Sequence, residues 1–100
     1  MAANGAPLRF SLVVPIHNEE ENLQQLLEEI EQVLLPHGPF EAVLVDDGST
    51  DGSLERMRRW KAERAAHWLR IVKLQRNGGQ SAAVMAGVEV ARAPLIATLD

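Results

Sequence analysis

The run Ala42-Val43-Leu44-Val45-Asp46-Asp47-Gly48-Ser49-Thr50-Asp51-Gly52-Ser53 decides the fold of this chain. Its apolar residues end abruptly at two carboxylates, turn-forming residues follow, and a helical pattern opens at Leu54. This order predicts a buried parallel strand, a tight turn and a helix. Ligands of open parallel sheets bind beyond the carboxyl ends of the strands. Because adjacent buried carboxylates repel each other, the pair Asp46-Asp47 requires a ligand, a cation or backbone donors.

The rest of the chain alternates strand-like and helix-like segments. A helix is expected after Asn18, which with Glu21 has capping-box spacing, and an apolar stripe follows at Leu23, Leu26, Leu27, Ile30, Val33 and Leu34. Strands are predicted at 10–14, 41–45, 69–74 and 94–99, and further helices at 52–66 and 81–92. The helix 81–92 is predicted to lie close on the sheet through a face of small residues, Ala83, Gly87 and Ala91. The order β-α-β-α-β-α-β predicts an α/β, Rossmann-like parallel sheet with helices on both faces.

The composition indicates one small globular domain at most. The 100 residues carry a net charge of −4, which gives no support for broad nucleic-acid binding. The absence of cysteine excludes thiol chemistry and fits a cytoplasmic location. Residues 1–8 are expected to be a flexible leader without a secretory signal, and 9–100 a domain truncated at its C-terminal end. Exposed sheet edges in such a domain can pair with a second copy.

Polar residues follow every predicted strand. The first strand leads into Pro15-Ile16-His17-Asn18-Glu19, the second into Asp46-Asp47, the third into Gln75-Arg76-Asn77, and the fourth into Asp100. Parallel strands bring these ends to one edge of the sheet, which predicts a nucleotide and metal site there. The turn Gly78-Gly79-Gln80 fits neither the dinucleotide fingerprint nor the P-loop spacing.

Four segments in this order resemble the inverting glycosyltransferases of family 2, and among them the polyprenyl-phosphate sugar transferases of the dolichyl-phosphate mannose synthase type. They are Val14 to Leu23, Val45 to Ser53, Asn77 to Gln80, and Thr98 to Asp100. The resemblance implies the nucleotide-binding half of a GT-A fold.

The resemblance also implies roles for individual residues. Pro15, His17 and Glu19 would line the nucleoside pocket, although His17 stands where many relatives have an aromatic residue. Val45 and Asp47 would hold the base, and Asp46 would order the turn. Asp100 matches the first acid of a motif that binds Mg²⁺ or Mn²⁺ together with the diphosphate.

The implied activity is transfer of a sugar from a UDP- or GDP-linked donor to a polyprenyl phosphate, assisted by the cation. The second acid of the metal motif, the catalytic base and any membrane helices would lie past residue 100. The resemblance also implies a cytoplasmic protein whose full-length form associates with the cytoplasmic face of a membrane. We therefore expect no catalytic residue within this chain and no turnover by it alone.

Two other classes of α/β protein remain as alternatives. A sugar pyrophosphorylase-like nucleotidyltransferase would carry a Gly-rich basic loop after the first strand, where this chain has Pro15 to Glu19. A receiver-like or other non-catalytic signalling module would carry an acceptor aspartate on the third strand, which here ends at Leu74-Gln75-Arg76. Purely structural roles also remain as alternatives. Asp46 would then cap the turn, Arg76 would be a solvated cation of the loop, and the basic helix 52–66 would present a solvent-exposed outer face.

Overall fold

The computed structural model describes residues 6–99 and confirms the predicted alternation of strands and helices. Asp100 and residues 1–5 of the predicted leader lie outside the described part of the chain. The elements are β1 (Phe10–Ile16), α1 (Leu23–Leu34) with a short 3₁₀ turn (Leu35–His37), β2 (Phe40–Asp47), α2 (Ser53–Arg64), β3 (Leu69–Leu74), α3 (Gln80–Val90) and β4 (Leu95–Thr98).

The four strands form one parallel sheet in the order β3-β2-β1-β4. The chain first builds outward from β1 to β2 and β3, and α3 then returns it to the other side of β1. Because the direction of winding reverses at this point, the switch point lies between β1 and β4. Crevices at the carboxyl ends of strands beside such a switch point are the usual ligand sites of open α/β sheets.

The two faces of the sheet are covered by different helices. Alternation along β2 sends Ala42 and Leu44 toward the core that includes residues of α1 and α2, and sends Val43 and Val45 toward α3. Helix α3 lies very close to the sheet, since a Cβ added to Gly87 would collide with Val13. The small residues predicted for this helix face, Ala83 and Gly87, are indeed buried.

The amino ends of the strands are joined by a buried polar network, the Glu41 network. Glu41 accepts hydrogen bonds from the Ser11 hydroxyl at 2.6 Å, the Arg70 guanidinium at 2.9 Å and the Arg92 backbone N–H at 2.6 Å. Ser11 in turn accepts from the Ala93 N–H at 3.1 Å. Burial opposes ionisation of Glu41, but these donors outweigh it and lower its pKa. The network ties three strands to the connection between α3 and β4.

Three details of the first predicted βα unit are wrong. Helix α1 begins at Leu23, not after Asn18, and Val33 of the expected stripe is exposed. Asn18 has a φ of +52° and points its side chain at another loop. Strand β1 continues through Pro15 to Ile16. Proline is tolerated there because pairing with β4 ends at Val13, so the missing N–H has no partner to lose.

Smaller differences concern helix ends. Helix α2 spans two residues less at its C-terminus than expected, because Ala65 adopts a left-handed conformation with φ +48° and stops it. Helix α3 ends at Val90 rather than 92, which frees the Arg92 N–H for Glu41. Within residues 6–99, none of the helices has the length and apolar character needed to cross a membrane.

Candidate functional site

Two loops at the carboxyl edge of the sheet are fastened together by side chain to backbone hydrogen bonds. Asn18, in the loop after β1, accepts from the Thr50 N–H at 2.8 Å and the Asp51 N–H at 3.3 Å. Its own N–H donates to the Ser49 hydroxyl at 3.0 Å. The left-handed conformation of Asn18 is one that asparagine adopts more readily than most residues. These bonds explain why Asn18 does not cap α1.

The same two loops are joined again closer to α2. The Glu19 N–H donates to the buried Ser53 hydroxyl at 2.9 Å, and the Gly52 N–H donates to the Glu20 carboxylate at 2.9 Å. Asp51 accepts from the Ser53 hydroxyl at 2.6 Å and from its N–H at 2.9 Å, and the hydroxyl contact lowers the pKa of Asp51. The loops after β1 and β2 therefore form one rigid rim.

Asp47 is the last residue of β2 and lies next to this rim. Its Oδ1 accepts the Gly78 N–H at 2.8 Å. Its Oδ2 has no hydrogen-bond partner among residues 6–99, and this oxygen is not completely enclosed by the protein. The backbone carbonyl of Asp47 accepts from His17 Nδ1 at 2.8 Å. Because a carbonyl can only accept, Nδ1 of neutral His17 carries the proton and Nε2 is left as an acceptor.

Asn77 connects His17 to the loop before α3. Its amide nitrogen lies 3.4 and 3.3 Å from the two ring nitrogens of His17, and its Oδ1 accepts the Gly79 N–H at 2.9 Å. The turn after β2 presses on this loop, since a Cβ on Gly48 would lie 2.5 Å from the Asn77 backbone nitrogen. Gly48 also has a φ of +66°, so both the lack of space and the backbone conformation require glycine at this position.

A cleft of about 320 Å³ opens between these groups. It is lined by Pro15, Ile16, His17, Glu19, Asp47, Asn77 and Gln80. Four residues singled out from the sequence thus lie together, namely Pro15, His17, Glu19 and Asp47. Val45 is fully buried toward α3 and is the register partner of Pro15, so it backs the cleft rather than lining it. Asp100, the expected metal ligand, lies outside the described residues.

The sequence placed Asn77 at this edge without giving it a role, and it did not single out Gln80 as a lining residue. Asn77 lies in the loop that follows β3, and Gln80 is the first residue of α3. What the sequence could not show is that this loop packs over the turn at Gly48, which carries it across the end of β2 to His17.

A second cavity, of about 470 Å³, lies on the other side of the end of β2. Asp46 lines it together with the turn 48–52 and the basic residues Arg58, Lys73 and Arg76. Asp46 is buried, and its Oδ1 has no hydrogen-bond partner within residues 6–99. The adjacent acids Asp46 and Asp47 therefore serve opposite faces of the sheet, as the alternation of a strand requires.

The described residues do not form a metal site by themselves. Across residues 6–99 no group of three or more His, Cys, Asp or Glu side chains is placed to hold a metal ion. Asp47 and Glu19 share the cleft, but Glu19 is held by the Asn22 amide at 3.2 Å.

The fold is that of the N-terminal part of GT-A glycosyltransferases. Residues 11–100 match the model of glycosyl transferase family 2, so the chain belongs to that family. This membership confirms the resemblance seen in the sequence and decides against the pyrophosphorylase and signalling alternatives.

Similar curated proteins are polyprenyl-phosphate sugar transferases. The chain is 50% identical over 95 residues to dodecaprenyl-phosphate galacturonate synthase of Rhizobium johnstonii, covering 93% of this chain and 28% of that protein. It is 47% identical over 91 residues to undecaprenyl-phosphate 4-deoxy-4-formamido-L-arabinose transferase of Pseudomonas aeruginosa, covering 90% and 26%. The chain thus spans about a quarter of the length of these relatives.

Solved structures show the same fold. S. aureus TarS 1-349 in complex with UDP matches with a TM-score of 0.80 at 29% identity, covering 93% of this chain and 27% of that one. The mannosyltransferase PcManGT of Pyrobaculum calidifontis, in complex with GDP-Man and Mn²⁺, matches with a TM-score of 0.76 at 26% identity, covering 91% and 26%. These matches confirm the Rossmann-like, GT-A assignment.

Proposed function

We propose that this chain forms the nucleotide-binding part of a glycosyltransferase that moves a sugar from a UDP- or GDP-linked donor to a polyprenyl phosphate. The observation that carries the proposal is that buried Asp47 lines the cleft while its Oδ2 has no hydrogen-bond partner among residues 6–99. A buried carboxylate with one unused oxygen favours a ligand that donates a hydrogen bond. The family and the named relatives support the choice of a nucleotide sugar.

Each predicted site residue has a role in this proposal. Asp47 accepts a ring N–H of the base. Pro15 and His17 form the apolar and polar parts of the wall, and Val45 supports that wall from the next strand. Glu19, fixed by Asn22, lies at the mouth of the cleft and accepts from ribose hydroxyls.

The diphosphate is expected at the end of β4, where Asp100 follows the last strand. We propose Asp100 as a ligand of Mg²⁺ or Mn²⁺, whose charge would stabilise the departing nucleoside diphosphate. Mn²⁺ accompanies the donor in the mannosyltransferase of P. calidifontis.

The acceptor completes the proposal. A lipid phosphate is already ionised at neutral pH, so its attack on the anomeric carbon needs less help from a base than an alcohol would. Such an acceptor resides in a membrane, and nucleotide sugars are cytoplasmic, so we place the reaction at the cytoplasmic face of that membrane. The chain alone is expected to bind nucleotide without turnover, because no group of three or more His, Cys, Asp or Glu side chains among residues 6–99 is placed to hold a metal ion.

The test is a titration of the chain with UDP-glucose and GDP-mannose in the presence of Mn²⁺, followed by NMR chemical shifts. Asp47→Ala should weaken binding of the recognised donor at least tenfold, because a hydrogen bond to a charged acceptor is worth about 1.5 to 3 kcal/mol. Glu29→Ala, which removes an exposed carboxylate from α1, is the matched control and should bind as the wild type does. Equal affinity of the wild type and Asp47→Ala for the donor would show that Asp47 is not part of the site. Sugar transfer by the chain alone would contradict the expectation that it binds nucleotide without turnover.

A further inference from the structure

We infer that the second cavity, on the α2 side of β2, binds an amino sugar phosphate, a sugar that carries both an ammonium group and a phosphate ester. Within residues 6–99, the buried and unpartnered carboxylate of Asp46 lines this cavity together with three unpaired basic side chains. No residue lines both this Asp46 cavity and the cleft that contains Asp47. The inference therefore does not depend on the proposed function of that cleft.

Asp46 brings a buried charge without compensation to the cavity. The residue is 2% exposed, and neither of its oxygens has a hydrogen-bond or ion-pair partner among residues 6–99. Asp46 therefore does not cap the turn that follows β2. Removing a carboxylate from water without a partner is costly, and a ligand that donates hydrogen bonds and carries a positive charge offsets this cost. An ammonium group meets both requirements.

The alternation of side chains along β2 directs Asp46 toward this cavity. Leu44, two residues earlier, packs in the core that includes residues of α1 and α2, so Asp46 lies on the same face of the sheet. On that face the cavity is lined by Glu55 and Arg58 of α2. Asp47 points to the opposite face and is not part of this lining. The two adjacent acids therefore belong to separate sites.

Three basic side chains line the cavity from three different elements. Arg58 extends from α2, Lys73 from β3 and Arg76 from the loop after β3, and each is exposed. Lys73 is the register partner of Asp46, yet the two side chains form no ion pair. In the described part of the chain, 6–99, none of the three cations has an ion-pair or hydrogen-bond partner. Unpaired cations on several sides of a cavity favour a phosphate group, which arginine contacts through two donors at once.

The charges of the lining balance, which favours a ligand with charges of both signs. The acids Asp46, Asp51 and Glu55 stand against the three cations. Asp51 already accepts from the Ser53 hydroxyl at 2.6 Å and the Ser53 N–H at 2.9 Å, and Glu55 is exposed to solvent. Asp46 is therefore the acid that requires a partner. A simple anion would engage the cations but leave the charge of Asp46 uncompensated.

The size and the uncharged part of the lining favour a sugar between the two charged groups. The cavity has a volume of about 470 Å³, against about 320 Å³ for the cleft. Ser49, Thr50 and Gln75 add hydroxyl and amide groups to the lining, which suit the hydroxyl groups of a sugar ring. The first turn of α2 also borders the cavity, and the positive end of its helix dipole favours the phosphate.

The experiment measures dissociation constants of glucosamine 6-phosphate, glucose 6-phosphate and inorganic phosphate for the chain at pH 7 by NMR titration. The wild type should bind glucosamine 6-phosphate about tenfold more tightly than glucose 6-phosphate, because the latter has a hydroxyl in place of the ammonium group. Chemical-shift changes should centre on the turn 48–52 and on Lys73. Inorganic phosphate that binds as tightly as glucosamine 6-phosphate would overturn the inference, because the site would then recognise a simple anion.

Two pairs of variants locate the ligand. Asp46→Asn should weaken binding of glucosamine 6-phosphate about tenfold and leave that of glucose 6-phosphate almost unchanged, whereas Asp47→Ala should affect neither. Arg58→Ala should weaken binding of both sugar phosphates. Its matched control is Arg59→Ala, which removes an exposed cation of α2 that does not line the cavity.

Thermal melts identify any variant that fails to fold. Arg58 and Arg59 are both exposed, so this pair carries the test if the change at Asp46 disturbs the fold. Equal losses for the two arginine variants would indicate general charge attraction, and lost binding in Asp47→Ala would place the sugar phosphate in the cleft. Either result, or the absence of saturable binding, would overturn the inference and leave the proposed function of the cleft standing.

Discussion

The two ends of strand β2 carry buried acids that differ in how completely their carboxylate oxygens are hydrogen-bonded. At the amino end, Glu41 is 3% exposed and both of its oxygens accept hydrogen bonds from within the fold. At the carboxyl end, Asp46 and Asp47 are 2% and 3% exposed, and each has an oxygen without a partner among residues 6–99. The acids at the two ends are equally buried, so the difference between them lies in hydrogen-bond satisfaction.

The difference follows from how each end is built. At the amino end, the connection from α3 to β4 lies across the strands and brings one backbone donor to Glu41 and another to Ser11. At the carboxyl end, the loops bond mainly to each other and leave a cleft between them. A satisfied buried charge holds the fold together, whereas an unsatisfied one costs stability that a ligand can restore.

The largest effect is expected from Gly48→Ala at the carboxyl end. The substitution forces a side chain into a left-handed conformation and against the Asn77 backbone at 2.5 Å. We expect a loss of about 3 kcal/mol in unfolding free energy, measured by urea denaturation, from backbone strain and overpacking together. Displacement of the Asn77 loop should also weaken nucleotide binding, because Asn77 lines the cleft.

Gly79→Ala is the matched control for this change. Gly79 has a φ of +91°, but a Cβ there would meet nothing within 4 Å. Gly79→Ala therefore introduces backbone strain without a steric clash, so the loss in unfolding free energy should be about 1 kcal/mol. Equal losses for the two variants would show that contact between the loops does not hold the site.

The next effect is expected from Glu41→Gln at the amino end. Replacing the carboxylate weakens three hydrogen bonds and leaves the Arg70 guanidinium without its anion. We expect a loss of about 2 kcal/mol in unfolding free energy at pH 7 and no change in nucleotide affinity. A change in affinity comparable to that of Asp47→Ala would contradict the division between the two ends.

The pH dependence of the unfolding free energy of wild type and Glu41→Gln tests whether the charge of Glu41 causes this stabilisation. The pKa of Glu41 is lower in the folded chain than its ordinary value of 4.5. Its stabilisation is therefore fully present above pH 4.5 and is lost as the pH falls through the lowered pKa. The difference in unfolding free energy between wild type and Glu41→Gln should be constant near neutrality and shrink in acid. A difference that grows in acid would contradict the assignment of a charged, hydrogen-bonded Glu41.

The sequence predicted most of the fold because its signals are local and periodic. The buried strand ending at Asp46-Asp47, the small residues of α3 and the position of His17 after a strand all follow from short-range pattern. Asn18 was wrongly placed as a helix cap because its true partners, the N–H groups of Thr50 and Asp51, lie on another loop. Local pattern cannot anticipate such long-range competition for a side chain.

The site was predictable to the extent that strand ends converge. Asp47 and His17 were found in this way, whereas the capping of Asp47 by Gly78 was not, because a backbone N–H carries no residue identity. Glu41 appeared only as the first residue of a predicted strand, since its donors come from Ser11, Arg70 and Arg92. Sequence therefore located the acids but not their hydrogen-bond states, on which the comparison of the two ends depends.

The smallest effect, and the most direct test of that comparison, is expected from Asp46→Asn. It is the same chemical change as Glu41→Gln, a buried carboxylate replaced by an amide on the same strand, but it should have the opposite sign. Asp46 Oδ1 receives no hydrogen bond from residues 6–99, so removing the charge relieves an uncompensated cost, and unfolding free energy should rise by about 1 kcal/mol. Nucleotide affinity should stay within about twofold of wild type, because Asp46 lines the cavity on the other side of β2 from Asp47 and the substitution removes no contact of the cleft. A loss of stability as large as that of Glu41→Gln, in urea denaturation at pH 7, would show that Asp46 is as well satisfied as Glu41 and that the two ends of β2 do not differ in this way.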